Sequence, residues 1–328
     1  MKFNPEEHIY KPAEDIKFWD KIGLSEKELQ EVKADVTKQI IKKNESIGTI
    51  KYSIEKEWGK RGIEMVKTTY ALVFNELISR GVEKVKLSDT QMISHADPNL
   101  FGISEISKVT INYDRIKNIE DTEIRLLNMV THLAHELYHS SAPTQILITE
   151  DIKNKNNRIL IQDASGASYW QGNESKEFML LEEGAAVDFE ETIFTKISKE
   201  FNENTLKLHG KIKNGMNNNI NTNYSKDIIN NIYPPAYLTN LKKVDNHNYD
   251  YKFSISMYGS SHQILLLLKD KIPDFYHKLE KARIERKPLD LTRDIEKQFG
   301  EGMYRRLTTA TIEDANALLT ELKQSISK

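Results

Sequence analysis

The segment Thr131-His132-Leu133-Ala134-His135-Glu136-Leu137-Tyr138-His139 holds the residues best suited to chemistry in this chain. The spacing His135-Glu136-x-x-His139 has a mechanical meaning. Each helical residue turns by about 100°, so positions four apart differ by ~40° and one turn. Two imidazoles can then converge on one ion. Glu136 projects about 100° around, where it can reach a water on that ion without being a ligand. A metal lowers the pKa of such a water, and a carboxylate beside it can take the proton. His132 projects to nearly the same face. It is expected either to line the site and bond to a carboxylate such as Glu190, or to be an ordinary buried, hydrogen-bonded histidine.

Composition narrows the ligand chemistry. Among 328 residues there is no cysteine, which excludes disulfides, thiol catalysis, iron–sulfur clusters and thiolate metal sites. A transition metal must then be held by histidine and carboxylate. There are nine histidines, and three of them fall within 132–139. The 47 basic and 49 acidic residues leave a net charge of −2, too little for a global field, so no nucleic-acid partner is expected. The first twenty residues carry charges throughout and do not read as a secretory signal. The longest strongly apolar run, Ile264 to Leu268, is far short of a membrane span. The expectation is a cytoplasmic chain with no membrane span.

A tetrahedral catalytic site needs a third protein ligand and one open position. The second long helix offers Leu180-Leu181-Glu182-Glu183-Gly184-Ala185-Ala186-Val187-Asp188-Phe189-Glu190. A glycine inside a good helix costs about 1 kcal/mol relative to alanine. Close approach of two helices is a physical reason for it, and would bring a carboxylate to the histidines.

Glu183-Gly184-Ala185-Ala186 following His135-Glu136-Leu137-Tyr138-His139 resembles the gluzincin metallopeptidases, the thermolysin and aminopeptidase N group. The resemblance covers roughly residues 105–200. It implies an α+β, zincin-like catalytic domain with a small mixed β-sheet, one Zn2+ per chain, and a peptide or protein substrate. Glu183 then becomes the third ligand beside His135 and His139, and Glu136 the general base. Glu182 stands where the family usually has Asn, and the interval from His139 to Glu183 is longer than in the best-known members. No third histidine follows at metzincin spacing. Helical geometry agrees with Glu183, because Glu183, Val187, Glu190 and Phe194 share one face while Glu182 points about 100° away. Glu190 is expected to accept a hydrogen bond from the outer nitrogen of His135 or His139, with Asp188 a weaker candidate; Glu182, Asp188, Glu190 and Glu191 otherwise read as a solvated acidic face.

The resemblance also implies a donor for the developing oxyanion. Tyr258-Gly259-Ser260-Ser261 is similar to the Tyr-x-x-Gly of aminopeptidase-like members, with Ser261 in place of glycine. Tyr258 is the expected donor, His262 the reserve, and Tyr249 and Tyr251 further candidates. An edge strand that pairs with substrate is expected at Gln91–His95 or Lys108–Tyr113. Two other readings compete: a non-catalytic zincin-fold binding protein, and a toxin or effector protease with one dedicated protein substrate.

The elements that must position these residues follow from pattern. Residues 1–24 read as an irregular segment able to cover the cleft. Ser25-Glu26-Lys27-Glu28 is a capping box that starts a helix running to about Asn44. Apolar spacing predicts helices over 63–79, 119–140 and 175–201. Strands are expected at Val82–Leu87, Gln91–His95, Lys108–Tyr113, Gln145–Asp151 and Arg158–Asp163, the last two as a hairpin around 153–157. Turns are expected at Asp97-Pro98-Asn99, Gly102 and Ser165-Gly166. Residues 25–211 form the expected catalytic lobe, 212–233 an Asn-rich loop, and 234–328 a helical lobe completing the cleft. Helices are placed near 258–269, 274–286, 292–299 and 312–326. Trp19, Trp58 and Trp170 are expected to pack in the interior.

Overall fold

The computed structural model describes residues 3–9, 16–46, 50–94, 102–105, 108–142, 145–150, 159–165, 168–171, 174–210, 236–244, 249–255, 258–285 and 287–326. The Asn-rich segment 212–233, the Asp97-Pro98-Asn99 turn and the 153–157 connection lie outside these residues, as do His95, Gly166 and the side chain of Trp170.

The chain is α+β. After a short helix α1 (Pro5–His8) come β1 (Lys17–Asp20), α2 (Glu26–Ser46), β2 (Lys51–Tyr52) and α3 (Ile54–Ser79). Three strands follow, β3 (Asp89–Ile93), β4 (Gly102–Glu105) and β5 (Lys108–Asn112), and then α4 (Thr122–Ser140). Next are β6 (Gln145–Glu150), β7 (Ile159–Ser165), β8 (Ser168–Gln171), β9 (Glu174–Glu177) and α5 (Met179–Ile197). The C-terminal part holds β10 (Ala236–Lys243), β11 (Tyr249–Ile255) and the helices α6 (Gly259–Lys271), α7 (Phe275–Glu285), α8 (Leu289–Phe299), α9 (Met303–Thr309) and α10 (Ala315–Ile326).

Among the described residues, three sheets serve this frame. The order β2-β3-β5-β4 is mixed, with β3 parallel to β5 and β4 antiparallel at the edge. The order β1-β6-β7-β8-β9 makes the second sheet, and β10-β11 is a hairpin. One hydrophobic core runs through α3, α4, α5, the four-stranded sheet and the C-terminal helices, from Trp58 to Leu322. Helix α4 forms because Asp121 caps it, accepting from the amide of Ile124 at 2.9 Å, and because Leu126, Leu127, Val130, Leu133, Ala134 and Leu137 bury completely.

Several expectations need correction. The first 24 residues are not simply irregular. Strand β1 pairs in parallel with β6, and Phe3 and His8 pack on Phe74 of α3. Helix α3 begins at Ile54, nine residues earlier than expected; Gly59, at φ +59°, puts a left-handed kink into its first turns and breaks the apolar period there. Val82–Leu87 is a connection and not a strand: Val82, Val85 and Leu87 bury themselves, but Leu87 alone makes a single bridge, to Ile9. Gly102 begins β4 instead of turning the chain. Helix α5 starts at Met179, because 174–177 is strand β9. The part after residue 234 is not all helical, since β10 and β11 pair there. A bulge between Leu238 and Asn240 lets Leu238 and Leu241 bury together, three residues apart, and hides the period of two. Trp58 is buried, whereas Trp19 is 56% exposed on the edge strand β1.

Candidate metal centre

Helices α4 and α5 pack side by side and place three ligand atoms around one point. Nε2 of His135 and Nε2 of His139 are 3.2 Å apart. Oε2 of Glu183 lies 3.6 Å from the first and 3.5 Å from the second. Among the described residues, His135, His139 and Glu183 are the group that could hold a metal ion, with their ligand atoms all within 4.8 Å of one another. The Oε2 atom of Glu183 is shut off from solvent and makes no hydrogen bond of ordinary geometry. A buried acceptor without a donor is costly, and a cation between it and the imidazoles removes that cost.

The outer nitrogens are held from α5. Nδ1 of His135 meets Oε2 of Glu190 at 3.0 Å, as the helix-face argument anticipated. Nδ1 of His139 meets Oε1 of Glu182 at 3.4 Å. Both contacts leave Nε2 facing the cluster, which is how carboxylates fix the tautomer of a ligating histidine. The role of Glu182 corrects the reading of that residue as part of a solvated face. The available signal was the run around it: Leu180, Leu181, Ala185, Ala186 and Phe189 are wholly buried, so the first turns of α5 have no wet side on which to spend an acid.

The electrostatics follow from this packing. Burial opposes a charged imidazole at His135, but the Glu183 and Glu190 carboxylates overcome it and raise its pKa well above the ordinary value. His139 is likewise disfavoured as a cation by burial, yet Glu183 and Glu182 raise it to about 9. Burial would lift Glu183, and the two histidines instead draw it down to about 2. Glu136 is raised: burial pushes it up, Glu183 and Glu190 add to this, and His135 and His139 pull against it. His132 is almost fully buried, and desolvation pushes it down to about 3, with His135 and Arg115 adding to the fall. It stands as a neutral residue behind the ligands.

Edge strand β4 crosses directly over the general-base candidate. A Cβ on Gly102 would meet Oε1 of Glu136 at 2.7 Å and its Cγ at 2.6 Å, so a larger residue there would have to push the Glu136 side chain aside. The expected edge strand, Gln91–His95 or Lys108–Tyr113, is therefore corrected to β4; those two segments are the interior strands β3 and β5.

Tyr258 immediately precedes α6, with its ring stacked on His135 at 6.4 Å between centroids. The Glu183 carboxylate, burial and Glu136 all raise its pKa, so its hydroxyl keeps its proton. His262 is turned elsewhere: its Nε2 lies 4.0 Å from Asp188 and 3.9 Å from Glu191. Asp188, the weaker candidate for bracing a ligand, instead accepts from Arg80 at 3.0 Å and from the Tyr276 hydroxyl at 2.6 Å. Gly184 does permit a close approach, but not to α4. A Cβ there would meet the carbonyl oxygen of Ser261 at 2.5 Å, so the glycine seats α6, and Tyr258 with it, against α5.

Comparison of the chain with protein-family models, with characterised proteins and with solved structures finds no match. No helix among the described residues is long and apolar enough to cross a membrane.

Proposed function

We propose that the chain is a zinc-dependent metallopeptidase with a zincin-like catalytic unit, its C-terminal helices completing the cleft. The observation that carries this reading is the triangle formed by Nε2 of His135, Nε2 of His139 and Oε2 of Glu183, with edges of 3.2, 3.6 and 3.5 Å. A tetrahedral ion bound at about 2.0–2.1 Å asks for edges of roughly 3.3–3.4 Å between its ligands. Two neutral imidazoles and a carboxylate also suit zinc in their chemistry. The ordinary resemblance of His135-Glu136-x-x-His139 and Glu183-Gly184 to the gluzincins supports the same assignment.

When bound, zinc would acidify a water and polarise the scissile carbonyl. The chain's own residues supply the rest. Glu136, raised in pKa by burial, accepts the proton of the attacking water and returns it to the departing amine. Tyr258 donates its retained proton toward the carbonyl oxygen as negative charge develops there. Glu190 and Glu182 hold the two imidazoles in the tautomer that faces the ion. Strand β4, last in its sheet among the described residues and passing beside Glu136, would offer backbone groups to an extended peptide. The half-buried Glu136 favours catalysis over a purely structural ion, because a closed structural site has no use for a base beside it.

The test is Glu136→Gln. The variant is expected to keep wild-type zinc content and to lose about 10²–10⁴-fold in hydrolysis of a quenched peptide library. Wild-type protein that holds zinc and cleaves no peptide or protein would favour the binding-protein reading. Cleavage of one protein and of no short peptide would favour the dedicated-effector reading.

A further inference from the structure

Helix α7 sends two charged side chains into the core beside the end of α4. Glu280 and Arg283 are 2% and 1% exposed. The Nε of Arg283 donates to Oε2 of Glu280 at 2.8 Å, and the Tyr138 hydroxyl donates to Oε1 of the same carboxylate at 3.0 Å. The other two guanidinium nitrogens face α4. Nη1 donates to the carbonyl of Tyr138 at 2.9 Å, and Nη2 donates to the Ser141 hydroxyl oxygen at 2.7 Å. The same Nη1 lies 3.5 Å from Oε1 of Glu182, the oxygen that meets Nδ1 of His139 at 3.4 Å.

These contacts form one continuous path from α7 to a ligand nitrogen. An arginine does not give up its proton in a protein, so Arg283 is a permanent cation. It stands where the dipole of α4 is negative and ties down the turn that carries His139. It also gives the buried Glu182 carboxylate a fixed counter-charge, at the same oxygen that meets the imidazole. Glu280, braced by Tyr138, keeps the guanidinium in plane and in place.

We infer that Arg283, with Glu280 as its counter-ion, is a positioning residue for the metal centre: it holds Glu182 on Nδ1 of His139, so that Nε2 of His139 is presented to the ion. The inference rests on the metal-centre reading above and adds to it a control exerted from the C-terminal helices.

The experiment measures zinc affinity in the full-length protein, by competition with a chromogenic chelator, well below each variant's melting temperature. Arg283→Gln and Glu182→Gln are each expected to weaken zinc binding by about 10–100-fold, the usual cost of losing a partner that orients a ligand. The double variant should be no weaker than the weaker single, because both changes break one path. Arg283→Lys, which keeps the charge, should recover most of the loss. Arg80→Gln is the control: Arg80 is likewise buried and ion-paired, to Glu76 and Asp188, and the variant should lose thermal stability while binding zinc like wild type. Should Arg283→Gln fail to fold, Glu280→Gln/Arg283→Met removes the pair together and leaves less unbalanced charge. Zinc affinity equal to wild type in Glu182→Gln and in the folded Arg283 variants would overturn the inference and leave the metal centre standing. A wild-type protein that binds no zinc would overturn the metal centre itself.

Discussion

Helix α5 serves two buried polar clusters built from the same kinds of residue. On one side, Glu182, Glu183 and Glu190 meet His135 and His139. On another, about 140° around by helical geometry, Asp188 meets Arg80, Tyr276, Lys269 and His262. The second cluster is compensated within itself. Asp188 faces Arg80 and Lys269, while Glu76 faces Arg80 and Lys196. Arg80 also lies over the rings of Phe189 and Tyr276. The first cluster is short of positive charge: Glu136, Glu182, Glu183 and Glu190 surround two imidazoles, with Arg283 as the nearest fixed cation to Glu182. Those carboxylates favour the charged form of both imidazoles over the opposition of burial, so the pKa values of His135 and His139 rise. Burial of ionisable groups is common to both clusters. What marks the candidate site is three ligand atoms turned toward one point with no fixed cation among them.

The comparison breaks most visibly at Asp188. Asp188→Ala leaves Arg80 buried without its main partner and should destabilise the fold by about 3–5 kcal/mol, read by denaturant unfolding, while zinc content stays at the wild-type level. Loss of zinc in that variant would mean the two clusters are one. Gly184→Ala tests the seat between them. The new Cβ must displace the Ser261 carbonyl, at a cost of about 1–3 kcal/mol in unfolding free energy. Because Tyr258 sits at the N-terminal end of α6 and would move with it, the variant should lose more hydrolysis than zinc. The smallest expected effect is Tyr276→Phe, which removes one hydrogen bond to Asp188 and should cost about 1 kcal/mol with activity unchanged.

A pH series sharpens the same contrast. In the zinc-free protein, His139 is raised from its ordinary 6.5 to about 9. Its contribution to stability is fully present below 6.5 and lost as pH rises through 9. Glu183 is lowered from 4.5 to about 2, so its contribution is present above 4.5 and lost as pH falls through 2. The melting temperature of zinc-free protein should therefore decline between pH 6.5 and 9. Added zinc should cancel the decline, since the ion replaces the protons the histidines held. A flat profile without zinc would contradict the proton uptake assigned to the first cluster.

The convergence of His135 and His139 was legible in the sequence, because both sit on one helix and their spacing alone sets their directions. Glu183 needed a resemblance, since no local pattern tells which acid of α5 meets α4. Glu182 was misread because a single-helix projection places it away from Glu183, while the neighbouring α4 wraps far enough to reach both. Gly102 and the hairpin β10-β11 were missed for related reasons. A glycine chosen for close approach looks like a turn, and a bulge erases the alternation that identifies a strand. Arg283 was invisible from sequence, because its partners Tyr138, Ser141 and Glu182 come from distant parts of the chain.

The ligand set is tested by the zinc content of purified wild-type protein and of Glu183→Ala, measured by elemental analysis after removal of loosely bound metal. One zinc per wild-type chain and close to none in a folded Glu183→Ala are expected. Stoichiometric zinc that survives in Glu183→Ala would contradict the ligand set, and wild-type protein without zinc would contradict the metal centre.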